Sequence, residues 1–322
     1  MLNLKINKDA LEFHHSIVKC WLLIKLKGGK SKQNGYNCNK KECLICNEGI
    51  HINKFNQDLR TKFLNFLLIS NNLDVLISGK PNELIILYGS IESGFTAIEK
   101  SIIGDFFINE AYTNWFRKSF GYQFLEKLNR HTCTYCNRNY TINISSKDKK
   151  ITAELDHWFP KNLDKFPLLA ISFYNLIPSC HSCNHSKGNP KEFSVLNWEE
   201  YFHPYIEYVD EKFTFSFNYE SSIDKLKVVI NVPENSKKIA KTLDEFCIED
   251  IYNSNSEKEL RDLYDLRMKY PKNYIEELFK FGLSKEEIYR MIFGIETIEE
   301  DYHKRPFSKF KHDIIEELKN IK

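Results

Sequence analysis

Residues 180–189, CHSCNHSKGN, gather two cysteines, two histidines, two asparagines and a lysine around one glycine. Such a stretch is a metal site, a nucleic-acid contact or a polar loop, and two others decide which: CTYC at 133–136 and ELDHWFPK at 154–161. Cys133 and Cys136 form one C-x-x-C pair, and Cys180 and Cys183 form another. Two tight turns, each offering two sulfurs, supply what a tetrahedral zinc site needs at about 2.3 Å from a shared ion. The interval between the pairs is longer than in a simple zinc ribbon. The cysteines alone leave two readings open, a staple for an irregular loop and the scaffold of an active site.

The rest of the chain bounds the answer. With 322 residues, 42% hydrophobic and 14% aromatic, it can bury a sizeable core and exceeds the commonest single-domain length. A net charge of +2, from 46 basic and 44 acidic residues, means that a polyanion would be gripped by a local patch rather than by the whole protein's field. The N-terminal MLNLKINKDALEFHH has no uninterrupted apolar core, and later apolar runs are too short to span a bilayer, so a soluble, cytoplasmic protein without membrane contact is expected. Nine cysteines, mostly in C-x-x-C pairs, suit metal ligation in a reducing compartment better than disulfides. Cys20 and Cys247 stand apart and read as buried small hydrophobes.

Helical spacing runs through LEFHHSIVKCWLLIKL, LRTKFLNFLLIS and AYTNWFRKSFGYQFLEKL, and again from about residue 234, in SKKIAKTLDEF, EKELRDLYDLRMKY, YIEELFKFG and FSKFKHDIIEELKN. NYTINI and ITAELDHW alternate around the turn SSKDKK as a predicted hairpin, and KFTFSFNY with KLKVVINV predicts a second. The fold class is therefore α+β.

Between the cysteine pairs lie Asp156-His157 at a strand end and Asn175 in FYNLIPSC, and the second pair runs on into Asn184-His185-Ser186-Lys187-Gly188. This order, over about 133–189, resembles the HNH endonucleases of the ββα-metal, treble-clef class. The resemblance implies a core at 131–200, between a mainly helical region at 1–130 and a hairpin with further helices at 201–322. It also implies that Asp156 binds a divalent cation, that Asn184 completes the protein ligation, and that Asn175 orients His157 and constrains the intervening loop. Many members of the class carry histidine at the position of Asn184, so this chain would be an H-N-N variant. A further segment, KRPFSKFKHDI, resembles stand-alone HNH proteins of bacterial defence loci, including partners of ATPases in Septu-like and retron systems.

Phosphodiester hydrolysis needs an activated water, a cation at the phosphate and a rigid frame. His157 suits the general base, since imidazole titrates near neutral pH. Carboxylate and amide oxygens favour Mg²⁺ or Mn²⁺ at the catalytic position, with Zn²⁺ structural. Neighbouring strand residues face opposite ways, so Asp156 and His157 can serve one phosphate only if the strand end is distorted. Glu154 shares a strand face with Asp156 and is a candidate support for it. His181 and His185 either replace Asn184, touch a phosphate or line the zinc turn, and Lys187 either neutralises a phosphate or is solvated.

Cys38, Cys43, Cys46 and His51 form a candidate second zinc site within NCNKKECLICNEGIH, beside the densest lysine run. Two functions of different class follow. One is a DNA-cutting nuclease acting as the effector of anti-phage defence, gated by a sensor or ATPase, with the flanking helices giving grip, docking or self-association. The other is a catalytically silent zinc module binding nucleic acid or a protein. The D-H, N, N set favours the first, because a pure binding module needs no base beside a hard-metal carboxylate.

Overall fold

Helix α1, Lys8–Lys27, forms where the first long apolar run follows an N-cap, with the Asn7 side chain accepting from the Asp9 and Ala10 N–H groups at 2.9 and 3.3 Å. From Cys20 to Ile24 it is buried on every side, so it is a central helix rather than a surface one. It stops at Gly28, whose φ of +93° a side chain would resist. In this computed structural model the described residues are 3–29, 35–46, 55–141, 143–146, 150–187, 197–206, 210–220, 224–269, 277, 280 and 282–320. They are mostly helical with small sheets, an α+β arrangement, and among them no helix is long and apolar enough to cross a membrane.

The chain divides into two units, neither continuous in sequence. The N-terminal unit is Ile6–Asn129 with Ser145–Ile177, and the C-terminal unit is Met1–Lys5, Arg130–Ile144 and Pro178–Lys322. The expected core at 131–200 is thus split between both units, because the strand carrying Asp156 and His157 packs with the preceding helices.

In the N-terminal unit, α2 (Gln57–Leu68), α3 (Asn72–Ser78), α4 (Pro81–Gly94) and α5 (Ala97–Asp105) follow α1. Their starts are legible: Asn56 caps α2, Pro81 opens α4, and Thr96 with Glu99 makes a capping box for α5. Phe106–Phe120 then winds as a π-helix before α6, Gly121–Leu128. Its buried residues explain the wider turn. Phe106-Phe107, Ala111-Tyr112, Trp115-Phe116 and Phe120 recur every four to five positions, longer than an α-helical repeat. Gly104 lets α5 close on the 3₁₀ turn Pro167–Ile171, since a Cβ there would lie 2.9 Å from Pro167 Cγ.

Strands β1 (Ile144–Ser145) and β2 (Lys150–Ile151) are two residues each and pair with one another. The first predicted hairpin is therefore only partly formed, because β3, Glu154–His157, has β4, Leu176–Ser179, as its neighbour. The second predicted hairpin forms fully in the C-terminal unit. There β5 (Thr214–Glu220) pairs antiparallel with β6 (Lys225–Asn231), in register from Thr214 opposite Asn231 to Glu220 opposite Lys225. Helices α7 (His181–Lys187), α8 (Lys237–Glu245), α9 (Ile248–Asn255) and α10 (Glu257–Lys269) belong to this unit, as does Ser308–Asn320, and Phe215, Tyr252 and Phe310 form its aromatic centre. The predicted helix YIEELFKFG falls largely outside the described residues.

Candidate metal centres and the Asp156–His157 strand

The sulfurs of Cys133, Cys136, Cys180 and Cys183 all lie within 4.8 Å of one another, three of the four residues buried. Cys136 Sγ and Cys180 Sγ are 3.9 Å apart, close to the roughly 3.8 Å edge of a tetrahedron with 2.3 Å metal–sulfur bonds. The first turn is shaped by backbone bonds, Cys133 N–H to Asn139 O at 2.9 Å and Asn137 N–H to Cys133 O at 2.9 Å, with the Arg138 N–H directed at Cys136 Sγ at 3.4 Å. The second pair straddles the start of α7, where the Asn184 N–H donates to Cys180 O at 3.0 Å. Such crowding drives the thiols apart in titration. Burial pushes Cys133 well up, while hydrogen bonding with Cys133 pushes Cys183 up and holds Cys180 well down. A divalent cation ligated by four thiolates removes that conflict.

Three residues that sequence reasoning missed brace this turn. Asn137, in the left-handed region at φ +54°, donates from Nδ2 to Thr132 Oγ1 at 2.8 Å and to the Tyr302 and Arg305 carbonyls at 2.9 and 3.2 Å. Its Oδ1 accepts from the Lys309 N–H at 3.3 Å, and its carbonyl from the Phe307 N–H at 2.7 Å. The Tyr252 hydroxyl donates to Cys136 O at 2.6 Å, and the Arg138 guanidinium to Ile251 O. The segment KRPFSKFKHDI thus has a structural task, since Arg305, Phe307 and Lys309 anchor the Cys133–Cys136 turn. The available signal was an asparagine directly after C-x-x-C, the residue type that tolerates left-handed backbone best after glycine.

The second cluster corrects the sequence reading. Cys38, Cys43 and Cys46 come together, but the fourth sulfur is that of Cys20, from the buried side of α1. His51 lies outside the described residues. Cys20 Sγ is 3.5 Å from Cys43 Sγ and 3.2 Å from Cys46 Sγ, and Cys46 Sγ is 3.2 Å from Cys38 Sγ. These are ligand-shell separations and far exceed a disulfide's roughly 2.05 Å bond. Both tetra-cysteine sites could therefore hold zinc. Cys247, in contrast, is exposed at φ +50° ahead of α9, so the expectation of a buried thiol fails there.

Asp156, His157 and Asn175 are all buried in the N-terminal unit, Asp156 and His157 at 6% and 5% exposure. The chain bends at Trp158 and Phe159 directly after β3. His157 Nε2 is 3.0 Å from Ala170 O, an atom that only accepts, so Nε2 carries a proton. Tyr112 meets the imidazole edge-on at 4.4 Å and donates from its hydroxyl to Leu155 O at 3.3 Å. Burial pushes the Tyr112 phenol up, and after the opposing effect of Arg117, Asp156 and then Glu154 add to the rise, so both carboxylates act on this spot. The Lys161 ammonium lies 5.3 Å from the Tyr112 ring centroid. Helical periodicity had marked Tyr112 as core only.

Asn175 clamps the loop. Its Oδ1 accepts from the Phe159 N–H at 2.6 Å, and its Nδ2 donates to Phe159 O at 3.1 Å and Leu169 O at 2.8 Å, while the Trp158 N–H donates to Asn175 O at 3.0 Å. Asn184, His181, His185 and Lys187 belong to α7 of the C-terminal unit. The His181 and His185 rings stack at 5.8 Å and both residues are exposed. Lys187 is buried, which removes the solvated reading, and it acts electrostatically on the buried His203. Comparison of the chain with protein-family models, with curated proteins and with solved structures returned no match.

Proposed function

We propose that this chain is a metal-dependent endonuclease of the HNH type, hydrolysing phosphodiester bonds in DNA. The observation that carries the reading is the buried Asp156-His157 pair, with the imidazole oriented by Ala170 O and the following loop clamped by Asn175. The Ala170 contact at Nε2 and the edge contact with Tyr112 hold the imidazole in one orientation, which a general base requires. By the resemblance, Asp156 and Asn184 would each offer an oxygen ligand to Mg²⁺ or Mn²⁺, which would supply charge neutralisation at the phosphate and leaving oxygen. His185 and His181, exposed on the same short helix as Asn184, are the alternative ligands or phosphate contacts.

Asn175 acts at one remove: it fixes the turn at Phe159 rather than touching substrate. Four thiolates around zinc at Cys133, Cys136, Cys180 and Cys183 hold the frame. The resemblance of residues 304–314 to defence-associated proteins supports a role as an anti-phage effector controlled by a sensor or ATPase partner. Burial of Asp156 and His157 is also what a silent zinc module would show, so cleavage decides. Incubation with supercoiled plasmid, linear DNA and RNA, each with Mg²⁺, Mn²⁺ or chelator, should give metal-dependent DNA cutting. His157→Ala should abolish it while zinc content and the unfolding transition stay as in the wild type; undiminished cutting by that variant sinks the assignment.

A further inference from the structure

The N-terminal unit connects its cysteine cluster to His157 through side chains of a single folded body. Cys20 is followed by Trp21, whose indole stacks on Trp115 at 4.4 Å and 14° and on Phe106 at 5.5 Å and 15°. Both partners lie in the π-helical stretch, which also carries Tyr112 against His157 and Arg117, whose guanidinium donates to Ala153 O at 2.7 Å just before β3. The segment 35–46 has no regular secondary structure, yet Ile45 and Cys46 are buried. Its backbone N–H groups form no ladder and bond locally, many of them to the cysteine sulfurs: Tyr36 N–H to Gly28 O at 2.8 Å, Asn39 N–H to Asn37 Oδ1 at 2.9 Å, Cys43 N–H to Lys40 O at 3.3 Å, Cys38 N–H to Cys46 Sγ at 3.2 Å, the Lys40 N–H to the Cys38 sulfur, and those of Ile45 and Cys46 to the Cys43 sulfur.

We propose that Cys20, Cys38, Cys43 and Cys46 bind a second zinc ion, and that this ion positions His157 by tying segment 35–46 to α1 and so fixing the Trp21 stack beneath the π-helical stretch. A loop without a ladder and four converging sulfurs is the situation in which metal supplies the ordering free energy. Aromatic pairs then transmit position, because an interior at crystal-like density shifts as discrete arrangements rather than by gradual yielding. Cys20, Trp21 and Tyr112 touch no substrate in this account; they are positioning residues. The catalytic consequence rests on the reading of His157 as the base, whereas the zinc site and its mechanical link do not.

The test uses the full chain, produced in zinc-supplemented medium. Elemental analysis should find two zinc equivalents in the wild type and after His51→Ala, one after Cys38→Ser, and two again after Cys38→His, which restores a ligand. In histidine-selective NMR the His157 Nε2–H resonance, assigned through His157→Gln, should shift or broaden in Cys38→Ser and recover in Cys38→His. Cleavage by Cys38→Ser should fall about tenfold or more in kcat, with DNA affinity unchanged. If Cys38→Ser is insoluble, the comparison is made on wild-type protein stripped stepwise with a mercurial, with the labelled cysteines mapped by mass so that loss at the half-exposed Cys38 and Cys43 is told from reaction at the half-exposed Cys180 and the exposed Cys247. One zinc in the wild type, disulfides among these four cysteines by mass, loss of zinc with His51→Ala but not Cys38→Ser, or an unmoved His157 signal after loss of the second zinc each overturn the proposal. Should the wild type cut nothing, the nuclease reading falls, and zinc count and resonance still decide the link.

Discussion

The two cysteine clusters reach the same donor set by opposite means. Around Cys133 the sulfurs sit in a lattice of polar bonds, with Asn137, Arg138 and Tyr252 spanning from the turn to Tyr302, Arg305, Lys309 and Ile251. Around Cys20 the support from outside is apolar: a central helix and an indole stack, with an irregular segment whose N–H groups bond mostly to the cluster's own sulfurs. A polar lattice fails abruptly, because every lost partner leaves a buried group unsatisfied. An aromatic stack strands no polar group when it shifts to another arrangement. The first design suits a frame that must not move, and the second suits a loop whose order depends on the ion.

The largest effect should come from breaking the first frame. Cys136→Ser removes a structural site of a kind worth about 10–16 kcal/mol in isolated zinc domains, so the C-terminal unit should not fold and the protein should be insoluble. Soluble yield and zinc content check this; a soluble, zinc-replete variant would erase the contrast. Asn137→Ala comes next. It removes the side-chain partner of the Tyr302 carbonyl and the Lys309 N–H, leaves Thr132 Oγ1 and the Arg305 carbonyl with only His303 O and Ser308 Oγ, and places alanine at positive φ, costing about 3 kcal/mol in urea unfolding.

Acid should strike both units in a comparable way, through a fully buried histidine in each, His14 and His203. His14 lies among Phe116, Phe124 and Phe173, with its pKa lowered to about 3, first by burial and then by His15. His203 is likewise lowered to about 3, by burial and then by Lys187. Both are neutral when folded, whereas the unfolded chain takes up the proton below about 6.5. The stability present above that value is lost as pH falls toward 3, by about 2 kcal/mol per histidine at pH 5. His14→Phe should flatten the pH dependence of the N-terminal unit alone, and an unchanged slope between pH 7 and 5 would contradict the assignment. The smallest effect belongs to Asp74, which receives Lys19 Nζ at 2.6 Å and His15 Nε2 at 2.7 Å at a half-exposed site. Asp74→Asn should cost under about 1 kcal/mol by the same urea measurement.

How much of this could be read beforehand depended on spacing. The Cys133 site was legible because each half is a local C-x-x-C, and β5–β6 because period-two alternation flanks a turn. The buried Asp156-His157 strand and the Asn175 clamp were legible as residues, though not the Tyr112 support, since an aromatic at helical spacing looks like any core aromatic. Cys20 was missed because its fellow ligands stand eighteen or more positions away and its neighbours WLLI mark it as core, which it also is. Three cysteines without a fourth thiolate were nevertheless a hint. The split of residues 131–200 between two units had no local signal, since it depends on which helices a strand packs against.

That split bears on how the protein is made. Cys20, Cys38, Cys43 and Cys46 leave the ribosome close together, so their cluster can close locally before the later segments are made. Cys133 and Cys136 must instead wait for Cys183, and Asn137 for its partners at Tyr302, Arg305 and Lys309. The body begun by Ile6–Asn129 is likewise incomplete until Ser145–Ile177 emerges. A translation product arrested before Cys180 would carry Asp156 and His157 but neither the closed four-cysteine cluster nor Asn184. Late completion of the frame is a built-in delay, which keeps truncated products from assembling the whole residue set.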